Sequence, residues 1–376
     1  MNFSSKILFK LIAFFSFSLI SIVAFGQDGS LTWRNPLAEK ANVIQGQAWI
    51  NELKGSYKRL PARMESLVRK PVWNLSQNST GIYIEFKTNA PEFSVRYAVK
   101  GPLGLPHMPS TGVSGVDLYA KGSKGWEWAA GKYSFGDTII YRFNNLDVRA
   151  EKTFRLYLPL YNSVDWLEIG TDKKFSFAYL PTTEEKPILI YGTSIAQGAC
   201  ASRPGLAWTN ILGRKLNMPI VNMAFSGNGR LEEPLIDLMS ETDARMYVLD
   251  CMPNLSSGTY SKEEIRKKVF YAVKRLQNAN KNTPILLVEN SGGSTDLVID
   301  TLKNFNYRRT SSFLRAAFDE LKSSGVKNIH LLSNQDIGMG TSSTVDGTHP
   351  NDIGMMEHAL AYEKIIISIL GKKSTY

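Results

Sequence analysis

The sequence predicts two domains of different class: an all-β sandwich, then an α/β unit on a mostly parallel five-stranded sheet. Three observations carry this expectation. The chain has 376 residues, and about 350 remain after its apolar first segment, more than one typical core accommodates. From roughly Trp33 to Phe177, short alternating runs of β-branched and aromatic residues recur without a long helical period. From Ile188 onward, five apolar runs alternate with stretches of helical spacing, the pattern of strands joined by crossover helices.

The first 26 residues read as an export signal. Lys6 and Lys10 precede an apolar run from Leu11 to Phe25, and Ala24-Phe25-Gly26 offers small residues before Gln27, the expected mature start. The alternative is an uncleaved membrane anchor. No cysteine follows the run, which argues against a lipid anchor, and no later segment approaches the ~18 apolar residues of a second span. The expected location is therefore periplasmic or secreted, without stable membrane insertion after cleavage. Formal charge is +10 for the whole chain and about +8 without the leader. That excess favours acidic partners, but no Lys/Arg run interleaves with aromatics and no nucleic-acid motif is present, so nucleic acid is not an expected partner.

Residues 27–181 are expected to form the sandwich. Its strand candidates include Ile82–Phe86, Phe93–Tyr97, Ile139–Phe143 and Phe154–Leu158, punctuated by turn residues such as Gly101-Pro102 and Asn144-Asn145. Thr182 to Lys186 reads as the junction. Residues 187–370 then supply strand candidates Ile188–Tyr191, Ile220–Met223, Met246–Leu249, Ile285–Val288 and Ile329–Leu332. Helical spacing marks Glu263–Leu276, Tyr307–Leu321 and Asn351–Leu370, with Pro350 suited to a first helical position. The tail from Gly371 to Tyr376 is expected to fray.

Four clusters in the second half can carry chemistry. Ser194 follows a strand directly, where a hydroxyl projects at the carboxyl edge of a sheet; a helix N-cap is the ordinary use of such a serine. Asn222 to Arg230 is glycine-rich and can aim a backbone N–H at a ligand, or simply turn. Asn254, in Asp250-Cys251-Met252-Pro253-Asn254, can donate its amide or hold its own turn. Asp346-Gly347-Thr348-His349-Pro350 spaces a carboxylate and an imidazole so that one turn can hold them together. Serine, histidine and carboxylate are the groups that make a hydroxyl nucleophilic at neutral pH.

In this order the clusters resemble the four sequence blocks of the SGNH (GDSL-type) hydrolases, over about residues 187–370. Gly192-Thr193-Ser194-Ile195 is similar to the nucleophile block, with Thr193 where the family often has aspartate. Gly227 matches the block-two glycine, Asn254 the block-three asparagine, and Asp346 to Pro350 the closing Asp-x-x-His block. The third block departs: Met252-Pro253-Asn254-Leu255 stands where the family usually has Gly-x-Asn-Asp. The resemblance implies a three-layer flavodoxin-like domain in which Ser194 is nucleophile, His349 general base and Asp346 its orienter. Ser194, Gly227 and Asn254 would form the oxyanion hole, with no cofactor. Gly115-Val116-Asp117-Leu118-Tyr119 is similar to the Gly-x-Asp-Leu-Tyr signature of the β-sandwich, jelly-roll-like, that precedes one branch of these enzymes. By that likeness the chain is an exported serine esterase acting on small O-acyl esters, acetyl above all, of carbohydrates. A lipase, lysophospholipase or thioesterase on the same triad is the enzyme alternative. A carbohydrate-binding protein with a silent hydrolase domain is the alternative of another class.

The remaining candidates are less specific. Trp126 and Trp128 alternate on a hairpin and could stack on sugar rings or pack. The loop Gly101 to Gly112 could carry His107 over the site. Arg230 could meet an anionic substrate or a surface carboxylate, and Glu289, at the end of the fourth strand, could line the pocket. Cys200 and Cys251 are permitted to bridge in an oxidising compartment, or else are two buried thiols. His330 and His358 read as structural. No His/Cys/Asp/Glu group has metal-ligand spacing, so no metal is assigned. Oligomeric state is left open.

Overall fold

The computed structural model describes residues 31–147, 149–291 and 300–371. The expected leader and the tail beyond Gly371 lie outside the described residues. Two antiparallel sheets come first. One runs in the order Leu31–Arg34, Val164–Asp172, Phe93–Val99, Ile139–Phe143, Lys132–Ser134. The other runs Phe177–Tyr179, Tyr83–Thr88, Lys152–Tyr157, Asp117–Gly122, Gly125–Ala129, with Ile44–Gln45 paired to Tyr83–Thr88. Alternation along these strands turns Ile84, Phe86, Val95, Tyr97, Leu118, Leu156, Leu167 and Ile169 into one shared core between the sheets.

The third sheet is parallel throughout, in the order Ile220–Ala224, Ile188–Gly192, Met246–Asp250, Ile285–Val288, Ile329–Leu332. Every residue of its first four strands in chain order is buried, which is why they read as unbroken apolar runs rather than alternating ones. Leu189 and Tyr191 face helices Glu233–Ser240, Lys262–Ala279 and Thr301–Ser323. Ile188 and Ile190 face helices Trp208–Leu216 and Asp352–Leu370. The chain order reverses at Ile188–Gly192, which has the second strand on one side and the third on the other. In such sheets that switch point is where ligands bind.

Caps fix where the helices begin. Ser261 and Glu264 form a reciprocal capping box at Lys262. Asn351 Oδ1 accepts from the N–H groups of Ile353 and Gly354, so the last helix begins at Asp352. Pro350 therefore stands ahead of the cap, bridged to Thr344, and not at the first helical position. No described helix is long and apolar enough to cross a membrane.

The segment between the first two strand pairings departs from sandwich packing. It holds the short helices Ile50–Leu53 and Lys70–Ser76, and its Trp49, Leu53, Leu60, Met64 and Val72 join the core that contains Tyr191, Phe225 and Leu235. Residues early in the chain thus wall one side of the parallel sheet.

Candidate active site

The Ile188–Gly192 strand ends at Thr193, and Ser194 opens a one-turn helix, Ser194–Gln197. Ser194 Oγ lies 2.9 Å from His349 Nε2, and His349 Nδ1 lies 2.6 Å from Asp346 Oδ2. A carboxylate at Nδ1 holds the proton there and leaves the Nε2 lone pair facing the serine hydroxyl. Asp346 Oδ1 accepts from the N–H groups of Thr348 at 3.0 Å and His349 at 2.8 Å. Partial burial pushes this carboxyl up, but the hydrogen bonds from His349 and Thr348 outweigh it and hold it below its ordinary range. The turn that brings the pair together needs Gly347 at φ +75°. Its flank is pinned by Thr348 Oγ1, 3.0 Å from Tyr307 Oη on the long helix Thr301–Ser323.

Three donor candidates sit on the connections after three neighbouring strands. The Ser194 N–H belongs to the first turn of a helix, which has no intrahelical acceptor. Gly227 takes φ +66° in the loop after Ile220–Ala224. Asn254 lies in the turn Met252–Leu255, and its Nδ2 is buried with no hydrogen-bond partner. Gly229 is forced by proximity: a Cβ there would lie 1.9 Å from Gly192 O. The hydroxyl of Thr193 is buried without a partner as well.

Much of what positions these groups comes from the first half of the chain, where no motif signalled it. Arg59 is 3% exposed and donates to Asn78 O, Leu75 O, Asn222 O and Ala224 O at 2.9, 2.6, 3.2 and 2.6 Å. Burial lowers its guanidinium to about 9. It therefore clamps the end of the strand that leads into the Gly227 loop. Gln197 Oε1 accepts from Ser226 N at 2.8 Å while its Nε2 reaches Asn78 Oδ1 and Leu160 O. Tyr161 Oη donates to Ser194 O at 3.3 Å. The hairpin Leu105–Met108 buries Met108 in the core of the parallel sheet and sets the exposed His107 ring 6.0 Å from that of His349.

The Gly115–Tyr119 motif works at the seam between the halves. Asp117, 4% exposed, accepts from Arg203 Nη1 at 2.6 Å, Gly205 N at 2.8 Å and Trp128 Nε1 at 2.7 Å. Leu118 enters the sandwich core, and Tyr119 packs beneath the Arg214 guanidinium, 3.9 Å from its ring centre. Trp126 packs with Arg155, whereas Trp128 stays 52% exposed.

Other expectations need correcting. Glu289 does not line the site: it is buried against Arg315 at 2.5 Å and accepts from Asn334 N at 2.9 Å. Arg230 turns its guanidinium back to Gly227 O at 2.9 Å, bracing the loop. Cys200 and Cys251 do not bridge; both are free and buried. They pack in the cores on opposite faces of the sheet, which keeps them apart. Burial, then the Asp346 charge, push the Cys200 thiol up to about 12. His358 is fully buried, with Nδ1 at 2.9 Å from Gly354 O, and His330 lies on the edge strand.

Residues 185–367 match the GDSL-like lipase/acylhydrolase family, and residues 31–177 match the N-terminus of the SGNH-hydrolase-type esterases. No curated protein matches the chain. Among solved structures, a GDSL-like lipase from Bacteroides ovatus is 29% identical with a TM-score of 0.83, covering 92% of this chain and 99% of its own. A salicylyl-acyltransferase from a tetracycline biosynthetic pathway is 19% identical with a TM-score of 0.68, covering 93% and 98%. An acetyl xylan esterase from Butyrivibrio proteoclasticus is 11% identical with a TM-score of 0.54, covering 91% and 100%. The last two likenesses are of fold.

Proposed function

Because the chain belongs to the GDSL-like lipase/acylhydrolase family and is a carboxylic-ester hydrolase, we propose that it is an exported serine esterase that removes small acyl groups, acetyl first, from carbohydrate. The observation that carries the reading is the unbroken chain from Ser194 Oγ through His349 to Asp346, at 2.9 and 2.6 Å. Ser194 Oγ attacks the ester carbonyl as His349 Nε2 takes its proton, and Asp346 steadies the imidazolium. The tetrahedral oxyanion is met by Ser194 N–H, Gly227 N–H and Asn254 Nδ2. Collapse expels the sugar alcohol, which leaves with the proton from His349. Water, deprotonated by His349, then attacks the acyl-enzyme and releases the acid and free Ser194. Every step uses side-chain and backbone groups of the chain itself.

The carbohydrate substrate is supported by the fold shared with an acetyl xylan esterase, and export by the leader sequence. A second reading, a lipase or lysophospholipase, draws support from exposed apolar residues near the triad loop: Val345, Ile353, Met356 and Leu360. Turnover of p-nitrophenyl acetate, butyrate and octanoate, with acetate release from acetylated xylan, separates the two. Acetyl preference with release from the polysaccharide supports the proposal. Octanoate preference with no release from xylan overturns it in favour of the lipase.

A further inference from the structure

A concavity opens on the sandwich at its seam with the parallel-sheet half. It measures about 260 Å³ and is lined by Trp128, Tyr133, Tyr141, Thr111 and Arg203 among others. Single exposed aromatics are ordinary. Here Trp128 and Tyr133, at 52% and 54% exposure, border the same cavity.

Both rings are held in place. Trp128 Nε1 is tied to the buried Asp117 carboxylate at 2.7 Å, and the Arg203 guanidinium lies 4.2 Å from its ring centre. Asp117 is itself fixed by Arg203 and Gly205. Tyr133 packs on Tyr141 and Phe135 at centroid distances of 5.2 and 5.5 Å. Rigid aromatic faces bind at small entropic cost because no rotamer has to be frozen. A pyranose ring fits such a wall: its C–H face lies on an aromatic ring, and its rim hydroxyls can meet the polar groups of Thr111, Ser202 and Arg203 around the same cavity.

The cavity is also tied to the candidate active site by one short piece of chain. His107 stands beside His349, and Thr111, which lines the cavity, follows four residues later. Four residues span at most about 14 Å. Thr111 Oγ1 donates to Ser202 O at 2.7 Å, fixing this strap to the segment that follows Ser194–Gln197. The Thr111 edge of the cavity thus lies within about 14 Å of His107, a span comparable to that of a few linked pyranose units.

We infer that this cavity is a distal subsite that binds a pyranose ring of an oligosaccharide substrate, a few sugar units from the ester being cleaved. The inference rests on the carbohydrate reading of the substrate. The test uses the full mature chain carrying Ser194→Ala, titrated with unacetylated xylohexaose and cellohexaose and followed by tryptophan fluorescence. One of them is expected to bind saturably, and Tyr133→Ala or Trp128→Phe in the same background to weaken it about five- to tenfold. In the active chain the ratio of kcat/KM for an acetylated oligosaccharide over an acetylated monosaccharide falls by the same factor in these variants, with thermal melts checking that they fold. No binding of either oligosaccharide, or binding and ratios indifferent to both substitutions, overturns the inference. Binding that depends on Tyr133 without acetate release from the acetylated form keeps the subsite and refutes the esterase reading of its substrate.

Discussion

Asn254→Ala should uncouple activity from stability in a way few active-site substitutions do. Asn254 Nδ2 is buried and has no acceptor in the resting protein. A donor cut off from water without a partner costs about 1–3 kcal/mol, so deleting it removes a penalty. The methyl group that remains packs less well than the amide, a loss that opposes the gain, so the net change in stability should lie within about 1 kcal/mol of zero. Under the proposed mechanism, the same amide gains its acceptor when the oxyanion forms. Losing one such donor lowers kcat by about 10²–10³, or about 2.7–4 kcal/mol of transition-state stabilisation. Asn222→Ala is the control. Its Nδ2 donates to Ala196 O and Thr209 Oγ1 and its Oδ1 accepts from Ala224 N, so truncation should lose about 2–3 kcal/mol of stability. Turnover of p-nitrophenyl acetate and thermal melts on the same preparations read both quantities. A fall in kcat of less than tenfold for Asn254→Ala, or a fall matched by a lowered melting temperature, would refute the reasoning.

Asp346→Asn should leave the fold in place and lower kcat about 10⁴-fold, because an amide no longer holds the Nδ1 proton of His349; kcat within tenfold of wild type would contradict this. Arg59→Ala should cost about 3–5 kcal/mol by urea denaturation, since four backbone carbonyls lose their donor, Asn222 and Ala224 on the strand leading into the Gly227 loop and Leu75 and Asn78 in the first half of the chain. A loss under 1 kcal/mol would mean water replaces the guanidinium freely. Asp250→Asn should expose a pH dependence that the wild type masks. Burial raises the Asp250 carboxyl to about 7, so its contribution is full below its ordinary 3.8 and is lost as pH rises toward 7. Burial lowers His358 to about 4, so the unfolded chain takes up the proton first and stability falls as pH drops from 6.5 to 4. Removing the carboxylate takes away the opposing slope, so stability should rise more steeply between pH 4 and 6.5 than in the wild type, by up to about 3 kcal/mol over that span; a profile parallel to the wild type's would contradict this.

What the sequence revealed and what it hid follow from how each element is specified. The five parallel strands were legible because burial on both faces demands unbroken apolar runs such as Ile188–Tyr191. Asp346 and His349 were legible because a three-residue spacing suffices to join them. The cysteine pair misled because chain position gives no facing: Cys200 and Cys251 belong to the cores on opposite sides of the sheet. Pro350 looked like a first helical residue, yet the side-chain oxygen of Asn351 caps the helix, which starts two residues later, at Asp352. Glu289 stands at a strand end as expected, but it is buried there with its carboxylate taken up by Arg315 and Asn334. Arg59 was beyond local reading, and for His107 the sequence offered only a loop that could reach over the site. Their roles depend on contacts with residues more than 150 positions away, Asn222 and Ala224 for one and His349 for the other. The helices between Trp49 and Ser76 are too short to show a period, although they wall the second core.

The central claim is that Ser194 is a nucleophile activated by His349. Intact-protein mass spectrometry after treatment with a fluorophosphonate ester, followed by peptide mapping, tests it most directly. The account predicts a single phosphonyl adduct on Ser194 that forms in the wild type and is lost in His349→Ala. No adduct on the folded wild type, or an adduct on another residue while Ser194 stays free, would contradict it.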